Sequence, residues 1–268
     1  MAMASRQTVN AVLRTIDLLQ AMNRQPVSSV HWLHEETGIP KPSIIRLLKT
    51  LATKKIVRHA PQHGAYMLTE EALSLCAGFH GIPRIIHAGA DALDAYTRQA
   101  QWPIALATYD CDAMVVRYST IPLSPLSLLH SSINMRLSLV SRAIGKAYLA
   151  SCSPARQVAI LDSLAASKDP EDLPATGFNA FKTELATIAA EGFAMRVGGI
   201  RPQSSTLAVP IRESGEVVAT IGTTWISSAM KPQEAVRRYL PLLRQTATLI
   251  QDRVATTPSI LDFPRGEK

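Results

Sequence analysis

Along the first seventy residues the apolar positions recur at helical spacing, and beyond residue 104 they pass into the alternation of strands. Val9, Val12, Leu13, Ile16 and Leu19 predict a first helix over roughly 8–23, with Pro26 after its end. Ser28 or Ser29 can cap a second helix that turns Val30, Leu33 and Thr37 inward and stops at Gly38. Pro40 and Pro42 open a third helix, where a missing N–H costs nothing in the first turn. On that helix Ile44, Leu47, Leu48 and Leu51 fall at i, i+3, i+4 and i+7 and predict a buried stripe. Half a circle away lie Pro42, Arg46, Lys49 and Thr53, with Ile45 on the flank. In IVRHAPQHGAYMLT, Val57 and His59 and then Tyr66 and Leu68 alternate on two short strands, with turn residues Pro61–Gly64 between them. A hairpin directly after a helix of this kind makes a wing.

From Leu68 to about Tyr96 the pattern is mostly helical, interrupted by Gly78, Gly81 and Pro83, and is read as a stiff connector. IALATY and AMVVRYS, joined at Asp110–Asp112, predict a β-hairpin. Helices are expected at about 141–151, 154–166 and 179–191. Two further strands, TLAVPI and EVVATIGTTW, flank a turn at Arg212–Gly215, and a last helix runs over about 232–254. Strands and helices mixed in this order indicate an α+β fold with a central antiparallel sheet. The expected organisation is a winged helix-turn-helix domain over 5–70, a helical linker over 71–90, a second domain over 91–256 and a tail over 257–268.

Charge sharpens the division. Residues 1–68 hold nine of the 28 Lys and Arg residues and only three acids (Asp17, Glu35 and Glu36), whereas the remaining residues are almost balanced. A basic module joined to a near-neutral one suggests that only the first part meets a polyanion, the alternative on charge alone being a solvated basic face. A basic outer face on the third helix suits the major groove of DNA. Lys41, Pro42, Ser43, Arg46 and Lys49 on that helix, with Arg58 on the wing, are the expected DNA-binding residues; Lys41 and Ser43 lie where helix amides also attract phosphate.

Apolar residues make up 47% of the chain, enough for a real core. No run of about 18 apolar residues marks a membrane span. The N-terminal stretch lacks a secretory signal pattern. Cys76, Cys111 and Cys152 are far apart and in no CxxC pair, which argues against a disulfide framework or a zinc site and for the cytoplasm.

Catalytic motifs are lacking. There is no GxSxG or HExxH, and Gly145-Lys146 has no upstream glycine at P-loop spacing. Asp110 and Asp112 read as turn residues or, less simply, as paired carboxylates. His59 and His63 would suit a metal only on a helix. No enzyme activity, cofactor or metal is expected. The competing reading is an enzyme or small-molecule binding protein whose N-terminal module mediates protein contacts.

Nearly the whole chain resembles the IclR family of bacterial transcriptional regulators. The stretches that carry the likeness are GIPKPSIIRLLKTLATKKIVRHAPQHGAYMLT, SRAIGKAYLAS, and EGFAMRVGGI with TLAVPIRESGEVVATIGTTW. WPIALATYDCDAMVVRYST, RLSLVSRAIGK and ISSAM are more similar to regulators of aromatic-acid breakdown, those of 3-(3-hydroxyphenyl)propionate first and phthalate- or terephthalate-type ones as rivals. The resemblance implies a winged helix-turn-helix, a GAF-like effector domain, and homodimers that often pair into tetramers on near-palindromic double-stranded DNA. It also implies effector contacts at the backbone of Ala143 and Ile144 and at Arg196, Gly222 and Thr224. Arg196 stands where the family often has acidic residues nearby, and Gly222 and Thr224 where some members carry two serines. Those departures disfavour a small hydrated effector such as glyoxylate and favour a larger anionic one; with the likeness to aromatic-acid regulators, the expected effector is an aromatic carboxylate. Arg196 could hold it by a two-pronged contact, or could instead face solvent or pair with an acid such as Glu191. Relatives in aromatic pathways are often activators, and activation is the expected sign.

Overall fold

The computed structural model describes residues 8–61, 64–77, 84–165, 167, 169, 171–172, 178–199 and 201–256. The chain divides into two compact units, Met1–Gly81 and Ile82–Lys268.

The first unit contains α1 (Asn10–Arg24), β1 (Ser28–Ser29), α2 (Val30–Thr37), α3 (Lys41–Thr53), β2 (Val57–Ala60) and β3 (Ala65–Leu68). Ser29, not Ser28, caps α2: its hydroxyl accepts from the Trp32 amide at 3.1 Å. Ser28 enters β1, opposite Tyr66 of β3. Gly38 ends α2 in the left-handed region, at φ 67°, where its N–H donates to the His34 carbonyl. The hairpin pairs Val57 with Leu68 and His59 with Tyr66. Gln62 and His63 of its turn lie outside the described residues.

Leu18, Met22, Leu33, Ile44, Leu48 and Val57 make the core of this unit. On α3, Ile44 and Leu48 are fully buried and Leu47 and Leu51 half-buried, so the expected stripe faces inward. Helix α1 forms where the spacing predicts it. Its buried residues are Leu18, Ala21 and Met22, while Val9, Val12, Leu13 and Ile16 are exposed. This helix carries apolar residues on more than one face, and the small core covers only one. Thr69 then caps a 3₁₀ helix over Glu70–Cys76, where a regular connector helix was expected. Gly78–Pro83 lie outside the described residues.

The second unit begins with α4 (Arg84–Ala100) and continues with β4 (Ile104–Asp110), β5 (Ala113–Ser119), β6 (Arg136–Ser138), α5 (Ala143–Ser151), α6 (Pro154–Leu164), α7 (Phe178–Glu191), β7 (Ala194–Val197), β8 (Ser204–Glu213), β9 (Glu216–Ile226) and α8 (Pro232–Thr256). Its sheet has the order β6-β5-β4-β9-β8-β7, antiparallel throughout. One face packs on α4 and α8, and the other on α5, α6 and α7. Alternation along β8 explains the division: Leu207, Val209 and Ile211 join the α4/α8 core, and Ala208 the opposite one. Along β4 the same alternation sends Ile104 and Leu106 to the α4/α8 core and Ala107 to the opposite one. No described helix is long and apolar enough to cross a membrane.

A candidate nucleic-acid face and a candidate effector cavity

The outer face of α3 is cationic because its inner face is aliphatic. With Ile44 and Leu48 buried, the helical period leaves Lys41, Pro42, Arg46 and Lys49 exposed and Ser43 partly so. Arg58 is exposed on β2. Among the described residues none of Lys41, Arg46, Lys49 and Arg58 has a carboxylate partner. Glu36 is taken by Arg24 at 2.7 Å, and Glu35 lies 3.3 Å from His31. The Ser43 amide donates to the Pro40 carbonyl at 2.9 Å, so phosphate attraction at this end falls mainly to side-chain charge.

In the second unit a cavity of about 360 Å³ opens between the sheet, the start of α5 and the segment between β5 and β6. Ala143, Ile144, Arg196, Gly222 and Thr224 all line it. Sheet register makes this possible: Arg196 of β7 stands opposite Thr206 of β8, which stands opposite Thr224 of β9. The row is hydrogen-bonded, since Arg196 Nη2 donates to Thr206 Oγ1 at 3.1 Å and Thr206 and Thr224 hydroxyls are 3.1 Å apart. The other side is mainly apolar, with Val116, Ile121, Leu126, Leu129 and Met135, and carries the Ser119, Ser127 and Ser132 hydroxyls, which bond locally.

Helix α5 brings its N-terminus to the cavity. Arg142 is the N-cap and makes no side-chain cap bond. The first backbone bond closing the helix is Lys146 N–H to the Arg142 carbonyl, leaving the Ala143 and Ile144 amides without a partner among the described residues. Both residues are buried. Buried unpaired amides at a helix N-terminus form an anion seat. Gly145 permits this placement, because a Cβ there would lie 2.2 Å from the Ser138 carbonyl oxygen.

Arg196 differs from its expected role. It is 9% exposed and does not pair with Glu191. Its Nη1 donates to the Ser204 carbonyl at 2.9 Å, the Arg201 carbonyl at 3.2 Å and the Gly198 carbonyl at 2.5 Å; its Nη2 also donates to Ser204 Oγ at 3.0 Å. The end of the fork is therefore occupied, and a two-pronged contact to a ligand would have to displace these bonds. Burial lowers its pKa first, and the charges of Arg142 and Arg201 lower it further. Periodicity could not reveal Arg142 and Arg201, which also line the cavity. Arg142 binds Glu171 through Nε, at 2.8 Å, and Nη2. That contact holds the Glu171 carboxyl below the usual range.

The other sequence candidates have local partners. Asp110 accepts from Arg117 at 2.9 Å, and Asp112 pairs with Arg136. The Asp110 carboxyl is held low, first by the Cys111 thiol and then, against some desolvation, by Arg117. A general acid needs the opposite shift. His59 packs on Tyr66 with ring centroids 4.9 Å apart, and His63 lies outside the described residues. Among the described residues no group of three or more metal-ligating side chains occurs.

A winged helix-turn-helix with a cationic reading helix, followed by a sheet domain with an apolar, cation-lined cavity, defines a DNA-binding transcriptional regulator with a small-molecule effector domain. The chain belongs to the IclR family: the IclR helix-turn-helix domain model matches residues 11–61, and the bacterial transcriptional regulator IclR C-terminal model matches residues 84–252. Members of this family are DNA-binding regulators and not enzymes. Among curated proteins, the DNA-binding transcriptional repressor YiaJ of Escherichia coli is 25% identical over 250 residues, covering 92% of this chain and 88% of that protein. The Thermotoga maritima IclR structure has a TM-score of 0.65 at 19% identity, covering 92% of this chain and 99% of that one. An IclR homolog from Microbacterium hydrocarbonoxydans, complexed with 4-hydroxybenzoate, has a TM-score of 0.62 at 16% identity, covering 92% and 100%.

Proposed function

We propose that this regulator controls an operon for aromatic-acid breakdown, as an activator, and that its effector is an aromatic carboxylate. The observation that carries the reading is the cavity, where an aliphatic wall faces unpaired helix amides, guanidinium groups and hydroxyls. An apolar ring suits the first and a carboxylate the second. Ala143 and Ile144 would donate their amides, Thr224 its hydroxyl, and Gly222 would leave room beside Ile144. Arg196 would supply positive charge to the cavity. The Microbacterium relative supports the class of effector, since it carries a ring with one carboxylate. Activation rests on the resemblance to aromatic-pathway regulators, while the curated relative is named a repressor. A reporter fused to the target promoter tests the sign.

Lys41, Pro42, Ser43, Arg46, Lys49 and Arg58 are proposed to meet double-stranded DNA. One such head covers too few base pairs for useful specificity. The reading is therefore a homodimer or homotetramer on a near-palindromic operator. The exposed Val9, Val12, Leu13 and Ile16 of the α1 end support it, because apolar groups clustered on a surface mark contact with another chain. An effector that prefers one arrangement of the subunits would shift the spacing of the DNA-reading heads.

The test is a thermal-shift panel of hydroxyphenylpropionates, phthalates, benzoates and glyoxylate on the full chain. A true effector raises the melting temperature in a concentration-dependent way. Stabilisation by glyoxylate and by no aromatic acid would refute the aromatic reading.

A further inference from the structure

The geometry points to an aromatic dianion as the effector, with its two carboxylates on neighbouring ring positions and with Arg201 as the side chain that takes the second carboxylate. This rests on the aromatic-carboxylate reading above and narrows it.

Three guanidinium groups, those of Arg142, Arg196 and Arg201, line this cavity, and among the described residues no Asp or Glu does. Their partners differ. Arg142 is paired with Glu171. Arg196 is engaged by three carbonyls and two hydroxyls, which satisfy its N–H groups but leave its charge uncancelled. Arg201 is half-buried, and its side chain makes no hydrogen bond or ion pair among the described residues. Three positive charges against the single Glu171 leave a surplus of two at one cavity. The groups are close enough to interact, because Arg142 and Arg201 both act on Arg196 and both act on Glu171. A ligand with one carboxylate leaves one of these charges facing an apolar ring; a ligand with two offsets the surplus.

Placement then selects the isomer. The guanidinium groups lie at β7, the turn after it and the start of α5, while the segment after β5 contributes Ile121, Leu126 and Leu129 with the hydroxyls of Ser127 and Ser132, and no cation. With one carboxylate on the Ala143 and Ile144 amides, a second at the adjacent ring position stays on the cationic side. A second across the ring is turned away from the guanidinium groups toward a wall whose lining residues carry no cation, where a carboxylate without a charged partner is costly.

Arg196 is a positioning residue here. Its bonds to the Gly198, Arg201 and Ser204 carbonyls close the turn between β7 and β8 and hold the Arg201 backbone at the cavity. Arg201 has the uncommitted guanidinium, and a charge-assisted, forked contact to a carboxylate is what such a group makes.

The experiment is calorimetric titration of the full chain with benzoate, phthalate and terephthalate at equal ionic strength and neutral pH. Phthalate is expected to bind at least about tenfold tighter than the other two, the worth of one charge-assisted contact. In Arg201→Gln the ratio of phthalate to benzoate affinity is expected to fall toward one, with the ligand-free melting temperature unchanged. Benzoate or terephthalate binding as tightly as phthalate would overturn this inference alone. An unchanged ratio in Arg201→Gln would also overturn it. Binding of no aromatic acid at all would overturn the aromatic reading and this inference together.

Discussion

Replacing Gly145 by alanine probes how the effector seat is built. Gly145 is the third residue of α5, where the helix lies against the chain leaving β6. A Cβ added there falls 2.2 Å from the Ser138 carbonyl oxygen, 2.5 Å from Leu139 Cα and 2.9 Å from the Ser138 carbonyl carbon. Resting non-bonded carbon contacts lie near 3.5 Å, so the helix start must retreat by roughly 1 Å. Nothing at this contact is a rotatable tip. The obstructing backbone is itself held, because Ser138 Oγ accepts from the amides of Val140 and Ser141 and bonds the Asp172 carboxylate at 2.8 Å. Helix propensity favours alanine over glycine by about 1 kcal/mol, whereas overpacking costs about 1–3 kcal/mol. Against backbone the upper end applies, and a net loss of about 1–2 kcal/mol is expected. Gly222→Ala is the control. Its Cβ meets Ile144 Cγ1 at 2.7 Å and Cδ1 at 3.0 Å, atoms that can rotate away into the cavity. That variant should lose less stability but alter effector affinity. Urea denaturation followed by tryptophan fluorescence reads mainly the second unit, where two of the three tryptophans, Trp102 and Trp225, are buried; the third, Trp32, lies in α2. Gly145→Ala should lower the midpoint and weaken the thermal shift given by an effector, since the Ala143 and Ile144 amides move with the helix start. A Gly145→Ala protein as stable as wild type, with its effector response intact, would refute the reasoning.

Arg46→Ala should weaken operator binding by about 1–3 kcal/mol if it meets a base edge, and Lys49→Ala should weaken all sequences alike and flatten the salt dependence. Unchanged operator affinity in the double variant, with circular dichroism intact, would rule out this face. Ser29→Ala removes the α2 cap and should cost the first unit about 1 kcal/mol in a denaturation curve, with the second unit unaffected. Because Arg142 holds the Glu171 carboxyl below the usual range, the stability this pair contributes is present above that range and is lost as pH falls through the depressed value. The melting-temperature gap between wild type and Glu171→Gln should therefore be open at neutral pH and close in acid; a gap independent of pH would contradict the assignment. Light scattering at micromolar concentration should give a species larger than the 29.1 kDa chain, and a monomer alone would count against the paired-head reading.

Much of the first unit was legible in the sequence because its signals are local. Proline at a helix start, a serine cap and glycine at a left-handed stop depend on a few neighbouring residues, and the stripe of α3 depends only on helical period. The cationic face followed by subtraction. The period on α1 marked the helix, but period says which residues share a face, not which face finds a partner. In the second unit the long strands β8 and β9 and the helices α6, α7 and α8 were readable, whereas β1, β6 and β7 have two to four residues each and carry too little alternation to register.

The composition of the cavity belongs to the tertiary structure. Ala143, Ile144, Arg196, Gly222 and Thr224 were named from family likeness, yet only sheet register sets Arg196, Thr206 and Thr224 in one row across three strands. Likewise the sequence determined that Arg142, Arg196 and Arg201 are present. Which of them is tied to an acid, which is engaged by carbonyls and which makes no side-chain bond among the described residues was decided by folding. A guanidinium chooses among acceptors by distance, and those acceptors come from residues that only the closed turn between β7 and β8 and the packing of α5 bring within reach.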